Sequence, residues 1–130
     1  MKKLISTFAR SESGTTIEFV LWLPVFVIIL SLIADTSLIF FGQSRVYRVI
    51  QVANRAYSLG QLETESSLET YITNAVASIG ATATVQSELN NGIIHTMVQV
   101  PARDFEALGL ITVFSDLNLT MSSDLVKEVM

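Results

Sequence analysis

The sequence contains no cysteine, a single histidine and only two prolines in 130 residues. Without cysteine the chain has neither a disulfide framework nor a thiolate metal site. His95 has no second histidine four residues away, and no acidic cluster has the spacing of a calcium loop. The sequence also carries no P-loop, no dinucleotide fingerprint and no nucleophile-elbow motif. It therefore predicts no catalytic residue, no cofactor and no metal ligand, and we expect a protein that is not an enzyme.

A large positive charge is also missing. The chain has 8 basic and 12 acidic residues, for a net charge of −4. No basic patch of the size that non-specific nucleic-acid binding requires is visible, so nucleic acid is not expected as a partner. Half of the residues are hydrophobic, which excludes a disordered chain. The length corresponds to one domain.

Charge is almost absent from one long segment near the N-terminus. Residues Phe19–Phe41 contain one formal charge, Asp35, and Phe19–Ala34 contain none. A helix of that length covers about 34 Å, which is enough to cross a bilayer core of about 30 Å. A secretory signal has a shorter apolar region, of about 7–15 residues. A globular core helix normally has a polar stripe. The sequence therefore predicts a membrane span at about residues 19–41.

Two residues interrupt this apolar helix. Pro24 lacks an N–H group and clashes with the carbonyl four residues earlier, so we expect a helix kink near Trp22–Pro24. Asp35 is costly in lipid and is followed by two small hydroxyl residues. Two interpretations of Asp35 are open: an interfacial carboxylate that reaches headgroup water, or an intramembrane contact to a partner helix.

The charge pattern divides the chain into three parts. Residues 1–14 form a basic leader with Lys2, Lys3 and Arg10. Residues 15–60 form one long helix, because helical apolar spacing continues beyond the span to Gly60. Residues 61–130 form a small α+β domain. We expect the three arginines at positions 45, 48 and 55 on the solvated or headgroup-contacting face of the long helix.

The C-terminal part predicts a helix followed by an antiparallel sheet. An apolar stripe from Leu68 to Ile79 predicts the helix, and Ser66 with Glu69 has capping-box spacing. Alternation then predicts strands at 82–89, 93–100 and 117–123, with an Asn-Gly hairpin turn before Ile93. The fold class is α+β, with a three-stranded antiparallel sheet. Further expectations concern single side chains. We expect His95 to face outward from its strand, and the acidic residues Glu63, Glu65 and Glu69 to be solvated. Residues 102–114 are expected to form a helical turn or loop from which Phe105, Leu108 and Leu110 pack inward.

The N-terminal motif resembles a known family. The stretch Phe8–Pro24 has a basic residue, a glycine, a few small residues, then Glu-Phe, an apolar helix and an early proline. This pattern resembles the N-terminus of TadE-like pseudopilins, which are minor pilins of the Tad (tight adherence) branch of type IV pilus systems. The matching residues are Arg10, Gly14, Thr15, Thr16, Glu18, Phe19 and Pro24.

The resemblance implies roles for individual residues. A prepilin peptidase would cleave the leader between Gly14 and Thr15. The glutamate would then be the fourth residue of the mature chain, whereas pilins usually place it fifth; a cut after Ser13 would restore the fifth place. The family implies that Glu18, with Phe19 beside it, sets subunit registration by pairing with the N-terminal amine of a neighbouring subunit.

The same resemblance implies location and partners. The chain would span the bacterial inner membrane once, with a cytoplasmic N-terminus and a periplasmic C-terminal domain, and would enter or serve the pilus that mediates surface adherence. Its partners would be the inner membrane, other pilins or pseudopilins, the assembly platform and the prepilin peptidase. Three alternatives stay open: a major pilin, a pseudopilin of a type II secretion-like system, and a membrane-anchored periplasmic binding module.

Overall fold

The computed structural model describes residues 2–109 and 116–128, with side chains described from Gly14 onward. A long N-terminal helix leads into a small α+β unit, and the predicted fold class is confirmed. In chain order the elements are α1 (Lys2–Ser58), α2 (Glu65–Ser78), β1 (Thr84–Asn90), β2 (Ile93–Pro101), a 3-10 helix (Ala102–Phe105) and β3 (Asn118–Val126).

Helix α1 begins earlier than the sequence suggested, at Lys2 rather than Thr15. The leader contains neither proline nor glycine before Gly14, and one glycine costs a helix only about 1 kcal/mol. The helix ends at Ser58, where Gly60 adopts a φ of 75° and the Gln61 N–H donates to the Ala56 carbonyl at 2.9 Å. Its 57 residues correspond to about 86 Å.

The core lies between two helices and one face of the sheet. The C-terminal half of α1 packs mainly beneath β3, and α2 packs beneath β1. Each helix supplies a stripe of fully buried side chains at helical spacing, which is the pattern that packing against a sheet requires. The stripe of α1 contains Val46, Ile50 and Ala53, that of α2 contains Leu68, Ile72 and Val76, and the sheet contributes Ile94, Val98, Val100 and Met121.

The sheet is antiparallel throughout, with β2 in the centre. Side chains of β2 alternate between exposed and buried from Ile93 to Val100, as the period-two pattern predicted. The hairpin turn consists of Asn91 and Gly92, both with positive φ, which the Asn-Gly pair tolerates. Strand β3 runs to Val126 rather than residue 123, because its last residues pair with the start of β2.

Helix α2 closes the outer edge of β1 with two carboxylates. Oε1 of Glu69 accepts the Ser87 N–H at 2.8 Å, and Oε1 of Glu65 accepts the Leu89 N–H at 3.0 Å. The expectation that these two glutamates are merely solvated was therefore wrong. The helix cap also differs from the predicted Ser66–Glu69 box, since Thr64 is the N-cap and accepts the Ser67 N–H. Edge amides without a strand partner are thus satisfied by side chains.

Candidate functional site

The N-terminal half of α1 stands apart from the rest of the fold. Every residue from Gly14 to Leu30 is exposed, including bulky apolar side chains such as Phe19 and Trp22, at 61 % and 54 %. Burial on α1 starts at Ser31 and continues at helical spacing into the core. Within the described residues, α1 is the one helix long and apolar enough to cross a membrane. An isolated apolar helix of this kind needs lipid or other helices around it.

The residues of the predicted cleavage and registration motif lie at the start of this exposed segment. Gly14, Thr15 and Glu18 all belong to the continuous helix α1. Gly14 and Glu18 are four residues apart, so they share one helix face at a separation of about 6 Å. Both residues are exposed, and apart from the nearby backbone of α1 no atom of the described residues lies within 4 Å of a Cβ placed on Gly14. A carboxylate is therefore presented one helical turn from the predicted cleavage point.

Pro24 lies inside the helix rather than at an end of it. It removes one backbone donor from the intrahelical ladder, so the Val20 carbonyl loses its usual partner. The helix assignment nevertheless continues without a break from Lys2 to Ser58. Lipid-embedded helices tolerate such a proline, and the kink stays a prediction.

Asp35 connects the long helix to the small domain. Its side chain is 1 % exposed, and Oδ1 accepts the backbone N–H groups of Ala107 and Leu108 at 3.2 and 3.1 Å. The two amides follow the 3-10 helix and are more than 70 residues away in the sequence. A buried carboxylate needs such donors, because an unpaired charge is costly away from water. Asp35 therefore attaches the domain to α1 below the core.

Neither of the two sequence interpretations of Asp35 included these partners. Both considered what lies outside the chain, namely headgroup water or a partner helix. The sequence offered one indirect signal, which is that Asp35 falls in register with Ile39 and Val46 on what becomes the buried stripe. The expected inward packing of Leu108 was wrong, since its side chain is 52 % exposed. Leu110 lies outside the described residues.

Gly42 allows the 3-10 helix to pack directly against α1. A Cβ at this position would overlap the ring of Phe105, which lies against the glycine backbone and joins the core from its lower side. Gly42 is seven residues, about 10 Å, beyond Asp35 along the helix. The chain from Phe105 to Leu108 thus runs down α1 from Gly42 to Asp35. Close backbone approach is a recognised reason for glycine within a helix.

Charged groups of the domain are mostly at its surface. The side chains of Arg45, Arg48 and Arg55 are exposed, as expected. Nδ1 of His95 lies 2.8 Å from Oδ1 of Asp124, at hydrogen-bond distance, on the exposed sheet face predicted for His95. Tyr57 has a pKa above its ordinary value, because burial disfavours the phenolate and the Glu65 charge opposes it further.

In residues 61–109 and 116–128, neither a cluster of reactive side chains nor a deep cavity indicates a catalytic site. No cluster of three metal-ligating side chains occurs among the described residues. A groove of about 310 Å³ lies between α1 and β3, lined in part by Asn54, Ser58 and Leu125. Asn54 is fully buried and accepts the Thr96 hydroxyl at 2.7 Å, while its Nδ2 has no partner in the described part of the chain. Two further depressions, of about 300 and 440 Å³, lie beside His95 on the sheet and beside Tyr71 between the helices.

Comparison with known proteins adds one finding. Residues 14–54 match the family model described as TadE-like protein. The match begins at Gly14, covers the exposed apolar segment and Asp35, and ends within the part of α1 that packs against the sheet. The chain matches no curated protein and no solved structure. Residues 14–54 of this chain are thus similar to the TadE-like family, which supports the expectation drawn from the N-terminal motif.

Proposed function

We propose that this chain is a non-enzymatic pseudopilin, or minor pilin, that takes part in Tad-type pilus assembly and surface adherence. The observation that carries the proposal is the TadE-like match on residues 14–54, which coincides with the exposed apolar part of α1. The helix and the family together indicate single-pass membrane anchoring. In the proposed arrangement the N-terminus is cytoplasmic and the α+β unit is periplasmic.

The proposal includes removal of the leader by a prepilin peptidase between Gly14 and Thr15. It is supported by the position at which the family match begins, which is Gly14 itself. Cleavage would remove the basic residues Lys2, Lys3 and Arg10 and create a new α-amine on Thr15. A positive group would then stand at the membrane surface, close to the exposed carboxylate of Glu18.

Glu18 has a clear physical role in such an assembly. A carboxylate at the edge of the hydrocarbon region is costly unless it finds a cation. The α-amine of a neighbouring subunit is a cation that is available only after cleavage. Pairing of the two groups would fix the axial position of one helix against the next, while Phe19 and the following apolar side chains would supply the packing surface.

The exposed segment of α1 suits two environments. In the membrane its apolar side chains would contact lipid, and in a filament the same side chains would contact the helices of other subunits. Because lipid tails are as apolar as these side chains, the exchange costs little hydrophobic free energy. A specific polar contact such as that of Glu18 can therefore determine which packing is chosen.

The test replaces Glu18 with glutamine, which keeps the shape of the side chain and removes its charge. We expect Glu18→Gln to remain in the membrane fraction, with fewer pili and weaker surface adherence in the cells. Glu63→Gln is the matched control, because Glu63 is an exposed carboxylate on the α+β unit, and it should leave piliation unchanged. Normal piliation in the Glu18→Gln strain would contradict the proposed role in registration.

A further inference from the structure

In the proposed membrane arrangement, Asp35 lies within the hydrocarbon core, near its outer boundary, where a charged side chain is costly. It is 17 residues after Glu18, or about 26 Å along α1, whereas the hydrocarbon core is about 30 Å thick. The next charged residue of the helix, Arg45, is another ten residues on, or about 15 Å. With Glu18 at the inner edge of the hydrocarbon core, Asp35 therefore lies about 4 Å inside the outer edge of that core, and Arg45 lies beyond it.

On the side of α1 away from Asp35, the large exposed side chains are apolar. Ile33, Phe40 and Phe41 are 58 %, 64 % and 62 % exposed. At 100° per residue they lie on the side of the helix away from Asp35. Bulky exposed apolar side chains on a helix that spans a membrane are expected to face lipid. The lipid-facing part of α1 thus continues beyond Asp35 toward Arg45.

The small domain reaches down to the same level. Phe105 packs at Gly42, and the chain then descends until the amides of Ala107 and Leu108 meet Asp35. Leu108 points its side chain outward and is 52 % exposed. The charged residues of this segment, Arg103, Asp104 and Glu106, all come before Leu108 in the chain. Asp104 accepts the Thr82 N–H of the α+β unit at 2.8 Å.

We infer that the underside of the α+β unit is embedded in the outer leaflet of the bilayer, with Leu108 in contact with lipid at the boundary between headgroups and acyl chains. The inference rests on the proposed membrane anchoring. Irregular backbone is stable at that depth only where its N–H groups have internal acceptors, and Asp35 is such an acceptor. The carboxylate and the two amides thus satisfy each other in a region that has little water.

The chain is well suited to a direct test because it has no cysteine and a single tryptophan, Trp22. The full chain is reconstituted into vesicles of phosphatidylcholine and phosphatidylglycerol, with or without lipids brominated near the headgroup end of the acyl chain. A polarity-sensitive fluorophore is attached to Leu108→Cys, or to Ala107→Cys as a second position. Val126→Cys is the control, since it is 64 % exposed and lies at the level of Ser58, about 35 Å further along α1.

At Leu108 and Ala107 we expect the emission of the fluorophore to be blue-shifted and to be quenched by brominated lipid. Aqueous iodide should quench these two positions several-fold less than it quenches the fluorophore at Val126. Equal iodide quenching at the three positions, with Trp22 quenched by brominated lipid, would overturn the inference and leave the membrane anchoring intact. A fluorophore at Leu108 shielded from both quenchers would also overturn it, because protein rather than lipid would then cover the site. If brominated lipid does not quench Trp22, the anchoring fails, and the inference fails with it.

Discussion

Replacing Asp35 should release the segment that follows the 3-10 helix while the rest of the domain stays folded. In Asp35→Leu the amides of Ala107 and Leu108 lose their shared acceptor. A hydrogen bond to a charged group contributes about 1.5–3 kcal/mol. The two distances, 3.2 and 3.1 Å, are longer than is usual for charge-assisted bonds, so the lower value applies to each. The expected local loss is about 3 kcal/mol.

The assay is hydrogen exchange of peptides that cover residues 102–109, measured on the full chain in lipid nanodiscs. A loss of about 3 kcal/mol corresponds to roughly 100-fold faster exchange at the two amides, at about 1.4 kcal/mol per factor of ten. Asp35→Asn is the matched variant, because it keeps an acceptor oxygen without the charge. Neutral hydrogen bonds are about half as strong, so its exchange should accelerate on the order of tenfold.

Core amides of Ile50 and Val98 should exchange as before in both variants, since these residues pack in a core far from Asp35. The amount of protein in the membrane should not fall, because removing a carboxylate from the span favours insertion. The reasoning is refuted if exchange at Ala107 and Leu108 is unchanged in Asp35→Leu, or if the leucine and asparagine variants behave alike.

Two further predictions concern single residues of α1. Gly42→Ala should push the Phe105 ring away and destabilise the docked domain by about 1–3 kcal/mol, partly offset by about 1 kcal/mol of helix propensity. Gly14→Ala is the control, because a Cβ there has open space and the variant should show only the gain in helix propensity. Thermal unfolding in detergent compares the two, and an equal change in Tm would contradict the account of Gly42. Burial and Glu65 raise the pKa of Tyr57 above 10.0, so the Tyr57 hydroxyl holds its proton more tightly in the native state than in the unfolded state. The contribution of Tyr57 to the free energy of unfolding is therefore intact below about pH 10 and declines as the pH rises toward the higher native pKa. The free energy of unfolding of Tyr57→Phe should lack this decline, and an identical alkaline profile in both proteins would count against the assignment.

The elements that local sequence determines were the ones predicted well. Alternation along β2 and the Asn91–Gly92 turn fix the hairpin, because side-chain direction and positive φ are properties of neighbouring residues. The apolar stripe of α2 and the length of the apolar run in α1 are likewise local signals. The long apolar helix and the fold class could therefore be predicted without a structure.

The contacts that organise the candidate site join residues far apart in the chain. Asp35 accepts the N–H of Leu108, which is 73 positions later in the chain. Glu69 of α2 accepts the N–H of Ser87 in β1. A carboxylate shows no local sign of whether water, a helix or a backbone amide will satisfy it, so these partners could not be predicted. Gly42 carried no signal either, since its role depends on where Phe105 docks.

The proposed processing of this chain is tested most directly by N-terminal sequencing of the membrane-bound form, isolated from cells that contain a prepilin peptidase. The account predicts that the mature chain begins at Thr15, which places the new amine three residues before Glu18. A membrane-bound chain that still begins at Met1 in those cells would contradict it.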